Sequence, residues 1–224
     1  MRVVVLASGQ GSNFRALLKS ASQSQKIVNI VGVISDRPNT PALAFADSQG
    51  VKTDVVDFRT YSDRREWDGA LKSRLDLFQA DLIVLAGFMR IVGPLFLDAY
   101  RGKSINTHPS LLPAFPGRDA PAQALRAKVR ISGCTVHVVD DGIDTGPIIA
   151  QAAVPVLPND DPSVLHARIQ RAEHLLLSQV VHAVASGQVR LSPDIQLFGV
   201  DMTTQAQLFW PTFGPNVSAT AEHP

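Results

Sequence analysis

Three residues of this chain have types and spacings that suit acyl-group chemistry. Asn106 and His108 stand two apart in "INTHPS", and Asp144 lies in the acidic turn "VVDDGIDTGPI". If "SIN" is a strand, its period of two puts amide and imidazole on one face, where both can meet one atom. Transfer of an acyl or formyl group to an amine passes through a tetrahedral oxyanion, which needs donors aimed at the developing charge. Asn106 and a protonated His108 are such donors. A carboxylate at Asp144 favours the protonated imidazole near neutral pH, so no nucleophilic Ser or Cys is required. Pro109 limits how far the strand end can relax. Taken singly, His108 reads as a structural hydrogen-bonder and the acidic turn as a solvated hairpin; only the set points to chemistry.

A second candidate site is "SGQGSN", Ser8 to Asn13, between the first apolar run and the first helical pattern. Glycines there let successive backbone N–H groups face an anion at a helix N-terminus. A P-loop needs Gly-Lys-Ser/Thr, which is absent, and the dinucleotide fingerprint wants a small residue where Phe14 stands. Asp36, ending the second apolar run, imitates the ribose-binding acid of dinucleotide enzymes. With Ser12 and Asn13 as side-chain donors, a single phosphomonoester fits the turn better than a pyrophosphate.

The elements that must position these residues are written in the hydrophobic pattern. Apolar, β-branched runs at Val3–Leu6, Val28–Ile34, Val51–Val56 and Leu82–Leu85 alternate with helical patterns at Asn13–Ser20, Ala42–Ser48 and Asp63–Leu77. Asp63 and Glu66 have capping-box spacing. Near-continuous apolar strands are what a parallel sheet covered on both sides requires, so the expected fold is α/β: Rossmann-like, doubly wound, mostly parallel, with helices on both faces. Past Ile105 a Pro-rich loop, a short helix near Ala122–Ala127 and strands near Ser132–Val139 and Ile148–Val156 follow. A long helix then runs from about Pro162 to a stop at Gly187. No linker interrupts the composition. One catalytic domain is expected over 1–190, its phosphate half 1–100 and its second half 101–190, with a C-terminal extension over 191–224 that frays at its end.

Composition excludes several classes of function. At 224 residues, 45% hydrophobic and 18% charged, with net charge +1, the chain has no basic footprint for nucleic acid or anionic lipid; neither a nucleic-acid nor a membrane partner is expected. Small molecules are the expected partners, and monomer and homodimer both stay open. Cys134 is the only cysteine, so thiolate metal sites are excluded and no metal is expected. A single thiol and a first apolar run too short for a signal peptide point to the cytoplasm.

"SGQGSN", "LAGFMRIVG", "INTHPSLLPAFPG", "QAL", "GCTVHVVDDGIDTGPIIAQ" and "RIQRAEH" resemble, in order and spacing, the phosphoribosylglycinamide formyltransferase family, over about Val3 to Val189. The resemblance implies transfer of formyl from 10-formyltetrahydrofolate, as co-substrate, to the amine of phosphoribosylglycinamide in purine synthesis. It implies that Asn106, His108 and Asp144 are catalytic. Gly11, Ser12, Asn13, Gln170 and Glu173 would bind the ribonucleotide, and Arg64, Met89, Arg90, Ile91, Val92, Asp140, Asp141, Gly142 and Ile143 the folate. His137 would support the site from behind. Read from the residues alone, Gln170 and Glu173 are a solvated helix surface. Asp119 stands where some relatives carry a histidine, so no chemistry falls to that loop. A non-catalytic nucleotide-binding regulator and a 10-formyltetrahydrofolate deformylase are the alternatives; a regulator has no need of the Asn, His and Asp set.

Overall fold

The computed structural model describes residues 1–23, 27–191 and 195–198. Strands β1 (Arg2–Leu6), β2 (Asn29–Ser35), β3 (Thr53–Val55), β4 (Leu82–Leu85), β5 (Ser104–His108), β6 (Ile131–Val138) and β7 (Ile148–Pro155) form one sheet in the order β3-β2-β1-β4-β5-β6-β7. The first five are parallel; β6 and β7 are antiparallel to their neighbours. The strand order reverses between β1 and β4, and in open α/β sheets ligands bind at the carboxyl ends beside such a reversal. Expected and observed architectures agree. β3 is shorter than its apolar run, because Val51 and Val56 flank the three residues that pair.

Alternation along β1 divides the core. Val3 and Val5 belong to a cluster with Phe14 and Leu17 of helix α1 (Ser12–Gln23) and Leu165, Ile169 and Leu177 of helix α6 (Pro162–Ala185). Val4 and Leu6 belong to a second cluster with Trp67, Leu71 and Leu75 of helix α3 (Arg64–Asp76) and Phe96 of helix α4 (Pro94–Tyr100). Helices α2 (Pro41–Ser48) and α5 (Ala120–Arg126) complete the layers. Each face of the sheet is therefore dry, as near-continuous apolar strands demand. Asp63 caps α3 by accepting from the Glu66 N–H at 2.8 Å, while Glu66 reaches back to Ser62, one residue short of a reciprocal box. Helix α4 went unread in the sequence, although Pro94 at its first turn and apolar Phe96, Leu97 and Tyr100 are its signature.

Helix α6 ends at Ala185, with Gly187 at φ +79 just beyond it. Short strands β8 (Val189–Arg190) and β9 (Gln196–Leu197) then pair with each other, and the expected fraying falls on residues outside those described. Among the described residues, no helix is long and apolar enough to cross a membrane.

Candidate active site

The β5–β6 ladder brings the polar set together. Asn106 and His108 lie on one face of β5, and Asn106 sits directly opposite His137 in register. Asp144, held in the left-handed region at φ +56, reaches both: its Oδ2 lies 3.2 Å from His108 Nδ1 and its Oδ1 3.4 Å from Asn106 Nδ2. The former oxygen also accepts the Gly117 N–H at 2.8 Å. His108 Nε2 lies 2.9 Å from the carbonyl oxygen of Phe115. Carboxylate and carbonyl can only accept, so each offers a place for a hydrogen on the ring nitrogen that faces it. Burial pushes the Asp144 carboxyl up, yet the surrounding donors outweigh it and hold the carboxyl below its ordinary value: His137 when protonated, the Gly117 N–H and the charge on His108.

His137 is the hinge of this network. Its Nδ1 lies 2.9 Å from the Val138 carbonyl, which takes that hydrogen. Nε2 is left facing Asn106 Nδ2 at 3.1 Å and Asp144 Oδ1 at 3.6 Å. When neutral, Nε2 accepts from Asn106 and fixes which way the amide points; when protonated, it becomes a donor toward Asp144. Gly117 and Phe115 were missed in the sequence because they act through backbone atoms. Their left-handed conformations, φ +78 and φ +56, left only the glycine as a visible trace.

On the opposite face of β5, Thr107 donates to Glu173 Oε1 at 3.2 Å, and Asn13 Nδ2 reaches Glu173 Oε2 at 3.5 Å. Glu173 is only 4% exposed, which overturns its reading as solvated surface; Gln170, one turn earlier on α6, is half-buried. The helical spacing was right, but packing of α1 and β6 over α6 closes that face. Burial raises the Glu173 carboxyl above its ordinary value, more than the two hydrogen bonds lower it. Gly11, Ser12 and Asn13 form the entry to α1, with Gly11 at φ +69. A Cβ on Gly11 would meet Ala42 Cβ at 2.6 Å, so this glycine is required by the chain's own packing. Among the described residues, the buried Asn13 Oδ1 has no hydrogen-bond partner.

Beyond β4, Met89 and Ile91 are exposed, but Val92 is buried in the second core cluster and offers a ligand only its backbone. Arg90 turns inward to Asp36, with Nε 2.8 Å from Oδ2, and lies over the Phe58 ring. Asp36, whose place at the end of β2 imitates a ribose-binding acid, is thus an ion-pair partner. Arg64 gives one hydrogen to the Val92 carbonyl at 2.8 Å. Asp140 ties its own turn by accepting from the Gly142 N–H and Thr145 Oγ1, whereas Asp141 and Ile143 are exposed. Val139, next to that turn, packs on the second core cluster and gives its N–H to the Ser104 carbonyl at the start of β5. Two other concavities, bordered by Asp81 and Leu191 and by Lys52 and Phe78, open at the far ends of the strands and gather no comparable polar set. Among the described residues, no three His, Cys, Asp or Glu side chains form a group that could hold a metal.

Residues 1–181 match the formyl transferase family. A phosphoribosylglycinamide formyltransferase from Mycobacterium tuberculosis is 45% identical over 185 residues, 83% of this chain and 85% of that protein. The chain belongs to the phosphoribosylglycinamide formyltransferase family. The chain also shares a region with the trifunctional purine biosynthetic protein adenosine-3 of Drosophila melanogaster, at 42% identity over 87% of its own length, and spans only 14% of that larger protein. The glycinamide ribonucleotide transformylase 1 structure from Symbiobacterium toebii superposes with a TM-score of 0.84 at 40% identity, covering 88% of this chain and 93% of that chain.

Proposed function

We propose that the chain transfers the formyl group of 10-formyltetrahydrofolate to the amine of 5'-phosphoribosylglycinamide, giving formylglycinamide ribonucleotide and tetrahydrofolate. The observation that carries this reading is the convergence of Asn106, His108 and Asp144 at the end of β5, beside the strand-order reversal. Gly11, Ser12 and Asn13 hold the phosphate, Glu173 and Gln170 the ribose side. The segment 89–92 with Arg64 and the turn 140–143 hold the folate.

The amine lone pair attacks the formyl carbon, and the carbonyl electron pair moves onto oxygen. His108 keeps its Nδ1 hydrogen on Asp144, so its Nε2–H is the donor for that oxygen, which takes the place of the Phe115 carbonyl. Asn106 supplies the second N–H, giving up its longer contact, the 3.4 Å one to Asp144. Collapse breaks the bond from formyl carbon to N10, and the proton lost by the amine reaches N10 through water held at Asp144. Preorganised donors of this kind contribute about 3–4 kcal/mol each in related acyl transfers. His137 acts on the chemistry only by orienting Asn106.

The test incubates the purified protein with the ribonucleotide and 10-formyltetrahydrofolate and follows the folate absorbance. Stoichiometric formylation of the ribonucleotide is the expected result. Formate release that does not need the ribonucleotide would make the chain a deformylase, and binding of both without turnover would make it a regulator.

A further inference from the structure

We infer that Asp68 is a positioning residue for the formyl-donor site: from inside α3 it fixes the backbone from Gly93 to Phe96 and, through it, the segment 89–92. The inference rests on the donor-binding reading of that segment. Asp68 is 1% exposed, between Trp67 and Leu71 on the buried face of α3. A carboxylate there is costly unless its oxygens are filled. They are filled by three backbone N–H groups, Gly93 at 2.7 Å, Leu95 at 2.8 Å and Phe96 at 3.2 Å. Helix α4 needs this outside cap, because its N-cap is Gly93, which has no side chain to cap it. A side chain at 93 is excluded by the same carboxylate: a Cβ would lie 2.6 Å from Asp68 Cγ.

The cap is one end of a series of ties. Met89 N–H donates to Ser8 Oγ at 2.8 Å, Arg90 pairs with Asp36, and Arg64 holds the Val92 carbonyl. The irregular segment is thus pinned from β1, β2 and α3 at successive residues. Ile91 is the exception: among the described residues its backbone makes no internal hydrogen bond, and its side chain and that of Met89 stand exposed, 52% and 57%. Apolar side chains held open above a fixed backbone with free amide groups match a flat heterocycle that carries its own donors and acceptors. Such a platform works only if the segment keeps its shape when empty, since a loop that must order on binding loses affinity. Asp68 supplies that rigidity at the end where helix α4 begins.

Asp68→Asn is the test. One amide oxygen cannot serve both Gly93 and the Leu95–Phe96 pair, and the NH2 group faces a donor. The expected result is a tenfold or greater rise in KM for 10-formyltetrahydrofolate and a matching loss of tetrahydrofolate affinity by calorimetry, with KM for the ribonucleotide within twofold and kcat little changed. Leu75→Val, a core change on the same helix, should lower Tm without moving the ratio of the two KM values. Should Asp68→Asn fail to fold, Gly93→Ala pushes on the same contact from the other side and must give the same selective change. Equal effects on both KM values, or none, overturn the inference. A wild type that binds tetrahydrofolate without formyl transfer removes the proposed function alone, and calorimetry on the variant still decides the role of Asp68; a wild type that binds no tetrahydrofolate overturns both.

Discussion

Replacing Glu173 by Gln removes an ionisable group from a place that water does not reach, and the consequence is a specific dependence of stability on pH. Burial is the largest influence on this carboxyl and raises it above its ordinary value of 4.5; hydrogen bonds from Asn13 and Thr107 and the charges of His166 and His108 offset only part. The folded protein therefore keeps a proton that the unfolded chain has already lost. Between 4.5 and the folded value the native state binds more protons, so stability falls as pH rises through that window. The limiting slope for one proton is about 1.4 kcal/mol per pH unit, or roughly 3–6 °C of Tm for a chain of this size. Glu173→Gln lacks the slope. Its amide NH2 faces Thr107 or Asn13, and any cost of that arrangement does not change with pH. Thermal unfolding of both proteins at pH 5, 6, 7 and 8 separates the two effects, because titrations elsewhere cancel in the difference. The wild type should lose ground to the variant as pH rises above 4.5 and level off once the folded value is passed. A flat difference, or a wild type that gains, would refute the claim that burial governs this carboxyl.

Asp144→Asn keeps size and most contacts but removes the counter-charge of His108; it should fold normally and lose about 10²–10⁴ in kcat, and turnover like wild type would exclude the proposed role. Because the Asp144 carboxyl sits below its ordinary value of 3.8, its contribution to stability is present above that value and lost as pH falls through the lower folded value, so acid unfolding of Asp144→Asn below pH 4 should be shallower than that of wild type. Gly9 has open space where a Cβ would stand and no left-handed backbone, so Gly9→Ala should leave Tm within about 2 °C yet raise KM for the ribonucleotide if ligand approaches the turn; Gly11→Val should instead destabilise the fold, and equal Tm values for the two variants would contradict the packing argument. Burial raises the Cys134 thiol to about 12, so a disulfide reagent should label it only upon unfolding, and rapid labelling of native protein would show that the α6 side of the sheet opens.

What the sequence disclosed depended on whether a role is carried by a side chain with a periodic position. β1, β4 and α6 were legible because their apolar repeats run the length of the element. Asn106 and His108 were legible because two residues along a strand always share a face, whereas His137, which only the resemblance pointed to, faces Asn106 through cross-strand register that no local pattern encodes. Glu173 was misread for a related reason: helical spacing shows which residues share a face, but not that α1 and β6 will cover it. Helix α4 carries no local cap signal at Gly93, since the carboxylate that caps it comes from Asp68, 25 residues earlier. Phe115 and Gly117 contribute a carbonyl and an N–H, groups that every residue type but proline owns.

The proposed mechanism requires His108 to be charged and yet available. A buried imidazolium needs an acceptor at each nitrogen at all times, because an orphaned charged donor costs more than a neutral one. Under the proposed chemistry one of those acceptors must yield to the substrate oxygen. The two partners differ in the way this requires. Asp144 carries full charge and is itself held by Gly117 and Asn106, so exchanging it would strand several donors together. The Phe115 carbonyl is neutral, sits on a residue in the left-handed region, and is flanked by the exposed Ala114 and Pro116. Left-handed backbone at a non-glycine residue costs about 1–2 kcal/mol, so letting that residue relax offsets part of the lost hydrogen bond. Under the proposed mechanism the loop is the replaceable acceptor, and the strand and the acidic turn hold the direction of the ring while the exchange takes place.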